Sequence, residues 1–333
     1  MENNFEIQQL LFEEIRKNIS SQHLQVDLIA DVLEITRDSA YRRIRGEKPL
    51  TIKEVCTLCK HFRISFDELM GNRIFHKFDC VYQPVNVSMP EEYHRYMHTL
   101  LDRIRLLKND SDSSIYTSAL DIPIFHLIAR KELMIFKLYT WIQCIHKYKG
   151  TMNDFMKEID TSQLADAHIR LGNIYEQIPS AEIWTGNTIM STLTLIDYNV
   201  ETGNFSDKGL PLQLCEQVMS ILNKLQEWTE KGEKGEYATP FKFYLSEMDL
   251  GNTYILIKRA TGVSNCIVKL FTINNLNVLD KTFCNEVESW LNKLFERASM
   301  LSGNMEKERL KFFNAQRYKV RSLMEKIQAG SYR

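Results

Sequence analysis

Arg37, Arg42, Arg43, Arg45 and Lys48 crowd into one short stretch with only Asp38 and Glu47 to oppose them. Five cations against two acids leave a local excess of three positive charges, in a chain whose formal net charge is −1. Guanidinium groups present paired N–H donors that match phosphate oxygens and the major-groove edge of guanine. Ser39 and Tyr41 lie in the same stretch and add hydroxyls. The chemistry such a set performs is recognition of a polyanion, with double-stranded DNA as the expected partner. Phosphate contacts supply affinity there, and base edges supply selectivity.

Other reactive side chains are spread more thinly. Cys56-Thr57-Leu58-Cys59 is a CxxC pair. A structural zinc needs two further ligands at matching spacing, and no second pair follows. Both cysteines read as core thiols on a helix. His94 and His98 stand four apart with Glu91 nearby, without the HExxH order of a catalytic zinc helix. They read as residues of a solvated or interface helix. The sequence has no GxSxG, no phosphate-cradling glycine loop and no dinucleotide fingerprint. No enzyme activity, no metal and no cofactor are therefore expected.

The elements that must position the cationic stretch are two short helices and a tight turn. The first is expected at about 26–33, with Ile29, Val32 and Leu33 on one face. Ala30 is small enough for a second helix to approach. Glu34 and Ile35 form the turn, and Thr36 is a good N-cap for a helix at 37–45. Ala40 and Ile44 face inward, and Gly46 ends the helix as a C′ glycine. Arg37, Asp38, Ser39, Arg42 and Arg45 are left outside. A first amphipathic helix from Phe5 to Ile19 packs on the pair through Phe5, Ile7, Leu11, Phe12 and Ile15. Thr51 and Glu54 form a capping box for a fourth helix that carries Ile52, Val55, Cys59 and Phe62 inward. Ser65 caps a fifth, Phe66 to Met70.

This stretch resembles the helix-turn-helix of the Cro and λ-repressor-like regulators, the xenobiotic-response-element (XRE) family, over roughly residues 5–71. The resemblance rests on Ile29-Ala30, Ile35-Thr36, Arg45-Gly46-Glu47-Lys48-Pro49-Leu50 and Ile64-Ser65-Phe66-Asp67-Glu68-Leu69. Val26 stands where many members have a phosphate-contacting glutamine, Ile44 where a glutamate is common, and Arg43 where an apolar residue is common. The resemblance implies a recognition helix at about 37–45 in the major groove. Arg37, Ser39 and Arg42 would meet base edges and Arg45 and Lys48 phosphates, with Asp38, Tyr41 and Arg43 also in the interface.

The remainder of the chain bounds what this helix pair works within. At 333 residues and 44% hydrophobic content the chain is long enough for two or three globular domains. Seven cysteines, odd in number, suit reduced thiols and a cytoplasmic location. The start lacks a leader pattern and no run of about 18 apolar residues exists, so no membrane association is expected. The expected domains are a helix-turn-helix domain at 1–72, a linker at 73–114 and a sensor or regulatory domain at 115–333. The linker holds a helix at 90–108, whose Tyr93, Met97, Leu100, Ile104 and Leu107 repeat as the seam of a helix pair does. They suit either a homodimer seam or a face packed on the chain's own C-terminal domain.

The C-terminal region reads as helices at about 122–147, 152–159, 161–177, 182–200, 211–231, 280–301 and 305–328. A small antiparallel meander covers 241–271. Trp141, Trp184, Tyr198, Trp228, Phe243 and Tyr254 read as core or as the lining of a ligand pocket. Cations of the last helix, from Lys307 to Lys326, read as a solvated face or a second nucleic-acid contact. The fold expected is mainly α: a λ-repressor-like bundle followed by a larger helical region with a small antiparallel sheet. The function expected is a sequence-specific transcriptional regulator, a homodimer on DNA with a small-molecule or protein effector. Its rival is a protein-interaction module on the same scaffold, its basic helix docking an acidic protein.

Overall fold

The computed structural model describes residues 3–17, 22–66, 78, 80–82, 84, 90–108, 110, 112–146, 148–158, 169–260, 262–271 and 273–330. The chain divides into two compact units, Met1–Phe78 and Asp79–Arg333.

The first unit holds α1 (Asn3–Lys17), α2 (Gln22–Leu33), α3 (Arg37–Ile44) and α4 (Ile52–Phe62). Leu11, Phe12 and Ile15 of α1 close over Ile29, Ala30, Ala40 and Leu58 in one small core. Local chemistry sets each helix end. The α2–α3 turn uses Glu34 in the left-handed region (φ 56°), and the Ile35 amide donates to the Ala30 carbonyl (3.0 Å). Thr36 Oγ1 accepts from the Ser39 amide (3.3 Å), a side-chain N-cap. Gly46 takes φ 76° just past α3, where a Cβ would be strained. Thr51 and Glu54 make the full reciprocal capping box. Two expected core positions are corrected. Ile52 is 85% exposed, and Leu58 takes the buried place on α4. Cys56 is exposed and Cys59 half-buried, so Cys56 is not a core thiol. Residues 67–70 of the expected fifth helix lie outside the described residues.

Among the described residues, the second unit is built on a nine-stranded mixed sheet. Its strands are β1 (Cys80–Tyr82), β2 (Ser114–Ala119), β3 (Ser180–Thr185), β4 (Glu233–Lys234), β5 (Thr239–Ser246), β6 (Tyr254–Arg259), β7 (Gly262–Lys269), β8 (Asn275–Val278) and β9 (Ser299–Met300). They run in the order β1-β8-β7-β6-β2-β3-β5-β4, and β9 joins the outer edge of β5 beside β4. Strands β2, β3 and β5 are mutually parallel, and the other pairings are antiparallel. The expectation of a mainly helical region with a small antiparallel sheet is therefore wrong. Of the expected meander, 253–258 and 265–271 fall on the antiparallel pair β6–β7, but 241–245 is β5, which runs parallel to β3 on the other side of the sheet.

Among the described residues the helices are α5 (Pro90–Lys108), α6 (Ile124–Leu127), α7 (Lys131–His146), α8 (Met152–Glu158), α9 (Met190–Glu201), α10 (Gly209–Lys231), α11 (Lys281–Arg297) and α12 (Glu306–Ala329). Alternation along the strands sorts them onto two faces. Ile115, Trp184, Phe241, Phe243 and Ile257 join the core beneath α5, α7, α9, α10 and α12. Ile183, Leu256 and Cys266 point the other way, onto Cys284, Val287 and Leu291 of α11.

Several sequence boundaries shift accordingly. The helix expected at 182–200 is strand β3 followed by α9, and β2 was not anticipated at all. The 73–114 stretch does not remain apart as a linker, because β1 pairs with β8 and α5 enters the core of the second unit. On α5, Tyr93, Met97, Ile104 and Leu107 are at most 3% exposed, and half-buried Leu100 packs against the same core. Of the two readings of this stripe, the structure supports packing within its own chain.

Candidate functional site

The eight residues proposed from sequence do not share one surface. Arg37, Asp38, Tyr41, Arg42, Arg45 and Lys48 are exposed, and Ser39 is half-buried. Arg43 turns inward. Its Nη2 meets Glu54 Oε1 at 2.7 Å and its Nη1 donates to the Ser39 carbonyl at 3.1 Å, with only 6% of the side chain exposed. Burial acts to raise the Glu54 carboxyl; the Thr51 hydrogen bonds and Arg43 overcome it and hold it below the usual value. Arg43 thus ties α3 to α4 and does not reach a ligand.

Four cations remain on the outer face against Asp38 and Glu47, a smaller excess than the sequence suggested. Neighbouring acids hold three of them. Arg37 Nε pairs with Asp27 at 2.6 Å, and Glu47 sits between Arg42 (3.8 Å) and Arg45 (3.3 Å). The Arg45 guanidinium also lies over the Tyr41 ring, 5.6 Å from its centroid. All these pairs are well exposed, so each contributes less than about 1 kcal/mol and is readily exchanged.

Gln8 of α1, overlooked in the sequence, fixes the exit from α3. Its Nε2 donates to the Arg43 carbonyl (2.7 Å) and the Lys48 carbonyl (2.9 Å), and its Oε1 accepts from the Leu50 amide (2.8 Å). A buried amide making three backbone bonds fixes the path of residues 43–50. The signal that marks it is a glutamine on the apolar face of α1, one turn before Leu11 and Phe12.

The second unit carries two buried polar groupings. In the first, Glu182 on β3 is fully buried and accepts from Tyr175 Oη and Trp184 Nε1 (2.8 Å), while His126 Nε2 lies 2.8 Å and 3.0 Å from its two oxygens. Burial acts to raise this carboxyl, and His126 with the two donors brings it below the usual range. Lys234 Nζ donates to Ser180 Oγ (2.6 Å) and sits 3.3 Å from the Tyr175 ring centroid. Burial pushes its ammonium well below the ordinary lysine value. Each of these groups is met by protein partners in a sealed interior, which is the arrangement of a structural network.

The second grouping borders a cavity of about 280 Å³. Its floor is the sheet face carrying Ile255, Ile257 and Ile267, and α5 roofs it through Tyr96, Leu100 and Ile104. At one end stand Asp121, Lys137 and Lys269. Burial acts to raise Asp121, but Lys137 and Lys269 hold it well below the usual carboxylate range. Of the six aromatics named from sequence, Trp141 lines this cavity. Trp184, Trp228 and Phe243 are core, Tyr198 is 57% exposed, and Tyr254 packs on Trp290 across the opposite sheet face. Lys137 interrupts the apolar run Leu133–Ile142, and that interruption is the sequence mark of the site.

The cations of α12 are largely engaged within the unit. Arg309 is buried and donates to the Leu301 and Gly303 carbonyls, Lys319 donates to the Gly186 carbonyl (2.6 Å), and Lys326 pairs with Asp197 (2.8 Å) and Glu201 (2.9 Å). Among the two earlier metal candidates, His98 is exposed, and the His94 side chain lies outside the described residues. No helix among the described residues is long and apolar enough to cross a membrane. Neither a protein-family model nor a curated protein matches the chain.

Proposed function

We propose that the chain is a sequence-specific DNA-binding regulator, with α3 entering the major groove. The observation that carries this reading is the construction of α3. It is a short capped helix whose buried side holds Ala40 and Arg43, whose exit is clamped by Gln8, and whose outer face presents Arg37, Arg42, Arg45 and Lys48. A helix of this size fits the major groove, and its exposed arginines match base edges and phosphates. Arg37, Ser39 and Arg42 are assigned to bases, and Arg45 and Lys48 to phosphates. Arg43 is withdrawn from the contact set and becomes the residue that positions the others.

One such helix reads few base pairs, so the functional form in this reading is a homodimer spacing two copies of α3 about 34 Å apart. The dimer surface is sought away from the α5 stripe, which its own core occupies. Seven free thiols suit a reducing compartment, and the cytoplasm is the proposed location. The second unit takes the regulatory role.

The test is selection of bound duplexes from a random pool by the full chain, with sedimentation of the same sample. One enriched sequence and twice the 39.1 kDa chain mass are expected. On the selected site, Arg42→Ala should cost about 1–3 kcal/mol and relax specificity, and Arg45→Ala should weaken all sequences and reduce the salt slope by about one. Enrichment of no sequence, with both variants binding like the parent, would overturn the reading in favour of a protein-docking helix.

A further inference from the structure

We infer that the cavity between α5 and the sheet is a binding site for a small monocarboxylate with an apolar body, whose carboxylate pairs with Lys269. The inference does not depend on α3 and DNA.

The cavity walls are mainly aliphatic, which sets the body of the ligand. The floor brings Ile255, Ile257 and Ile267 together because they are alternate residues on the paired strands β6 and β7. Leu100 and Ile104 close it from α5, one helical turn apart. At about 30 Å³ per water, a volume of about 280 Å³ corresponds to roughly nine waters, or about ten non-hydrogen atoms of an organic molecule. Aliphatic walls of this kind favour an apolar ligand body.

The end carrying Asp121, Lys137 and Lys269 sets the head group; Arg259 lines the opposite end of the β6–β7 floor. Lys137 and Lys269 share one carboxylate, that of Asp121, so the trio carries one uncompensated positive charge. Asp121 is already well occupied. Its Oδ2 accepts from Lys137 Nζ (2.8 Å), and its Oδ1 accepts from Thr192 Oγ1 (2.9 Å) and the Ile122 amide (2.8 Å). Lys269 Nζ stands at 3.6 Å, beyond ordinary hydrogen-bond length. Lys137 is only 2% exposed and committed to Asp121, whereas Lys269 keeps 35% of its side chain open. Burial lowers the Lys269 ammonium below the usual lysine value even with Asp121 beside it. A half-desolvated cation with a second-best partner, facing an apolar cavity, is matched by an anion that brings its own apolar surface. A cationic ligand would meet two ammoniums, and a neutral one would leave the charge uncompensated.

The experiment is titration calorimetry on the full chain with three eight-carbon probes: octanoate, octanol and octylammonium. They share the apolar body and differ only in head group. Octanoate should bind about tenfold to a hundredfold more tightly than octanol, the range of one charge-assisted hydrogen bond, and octylammonium should bind weakest. In Lys269→Met, octanoate should fall to the affinity of octanol while octanol itself is unchanged, showing that the cavity persists. Ile267→Trp should fill the floor and abolish binding of both. Octanoate binding no tighter than octanol in the parent protein would overturn the inference. So would Lys269→Met keeping the preference. If that variant fails to fold, the three-probe ranking in the parent decides alone. Loss of DNA selectivity, or its absence, changes none of these outcomes.

Discussion

Arg43→Ala separates a positioning residue from a contact residue, and the structure sets the size of the effect. The guanidinium is 6% exposed and spans α3 and α4 through Glu54 and the Ser39 carbonyl. Truncating one member of a buried ion pair costs about 3–5 kcal/mol, because the other charge is left behind. Glu54 is better placed than an isolated acid, since the Thr51 amide (2.7 Å) and hydroxyl (3.1 Å) still donate to it and 16% of it reaches solvent. That reduces the expected cost to about 2–3 kcal/mol. Hydrogen exchange on the full chain reads it directly. Amides of α3 and α4 should lose protection by roughly 30-fold to 150-fold, with the second unit unchanged. Arg42→Ala, on the outer face, should move them by less than about 0.5 kcal/mol. Pairing Arg43→Met with Glu54→Gln should recover part of the loss, because neither charge then remains buried alone. Unchanged protection in Arg43→Ala, together with a DNA defect like that of Arg42→Ala, would return Arg43 to the outer face and refute the packing argument.

Gly46→Val should destabilise the first unit by about 2 kcal/mol or more, because φ 76° is costly for any side chain and worst for a β-branched one. Hydrogen exchange in α3 measures this, and unchanged protection there counts against the turn. Glu182 gives the second unit an acid limit. Its folded carboxyl lies below the ordinary 4.5, so its contribution is complete above that pH and is lost as pH falls through the lower folded value. Urea midpoints of the parent should therefore drop on acidification more steeply than those of Glu182→Gln, and parallel profiles would remove Glu182 from the account.

How much was legible depends on the range of the interactions. Thr36, Gly46 and the Thr51–Glu54 box act within a few residues of themselves, so the helix ends of the first unit could be read from sequence. The core strands could not. In β3, every residue from Ser180 to Trp184 is buried, so no period-two alternation survives. β2 is only six residues long, and although Ile115, Tyr116 and Thr117 favour a strand, Ser114, Ser118 and Ala119 give it no alternating apolar pattern. Their pairing joins Ile115 to Ser180 and Ser180 to Phe241, far apart along the chain. The β6–β7 hairpin is local and β-branched and was visible, whereas β8, with Asn275 and Asn277 among its four residues, was not. Arg43 is the instructive middle case. The structure buries it at a position where the helix-turn-helix family suggested by the sequence commonly has an apolar residue; counting its charge as surface ignored that mark.

The same point governs the electrostatics of the whole chain. A formal charge of −1 hides cations held inside as Arg43, Lys137, Lys234 and Arg309, so residue counts overstate what the surface presents. At the two proposed sites, most of the open cations stand beside an acid that holds them loosely: Arg37 by Asp27, Arg42 and Arg45 by Glu47, Lys269 by Asp121. An arriving anion therefore replaces an acid that the protein already supplies. Exchanging an exposed pair costs less than about 1 kcal/mol, and a phosphate that releases its counterions returns more than that at low salt. In the proposed DNA complex, affinity carried by α3 would fall steeply with added salt.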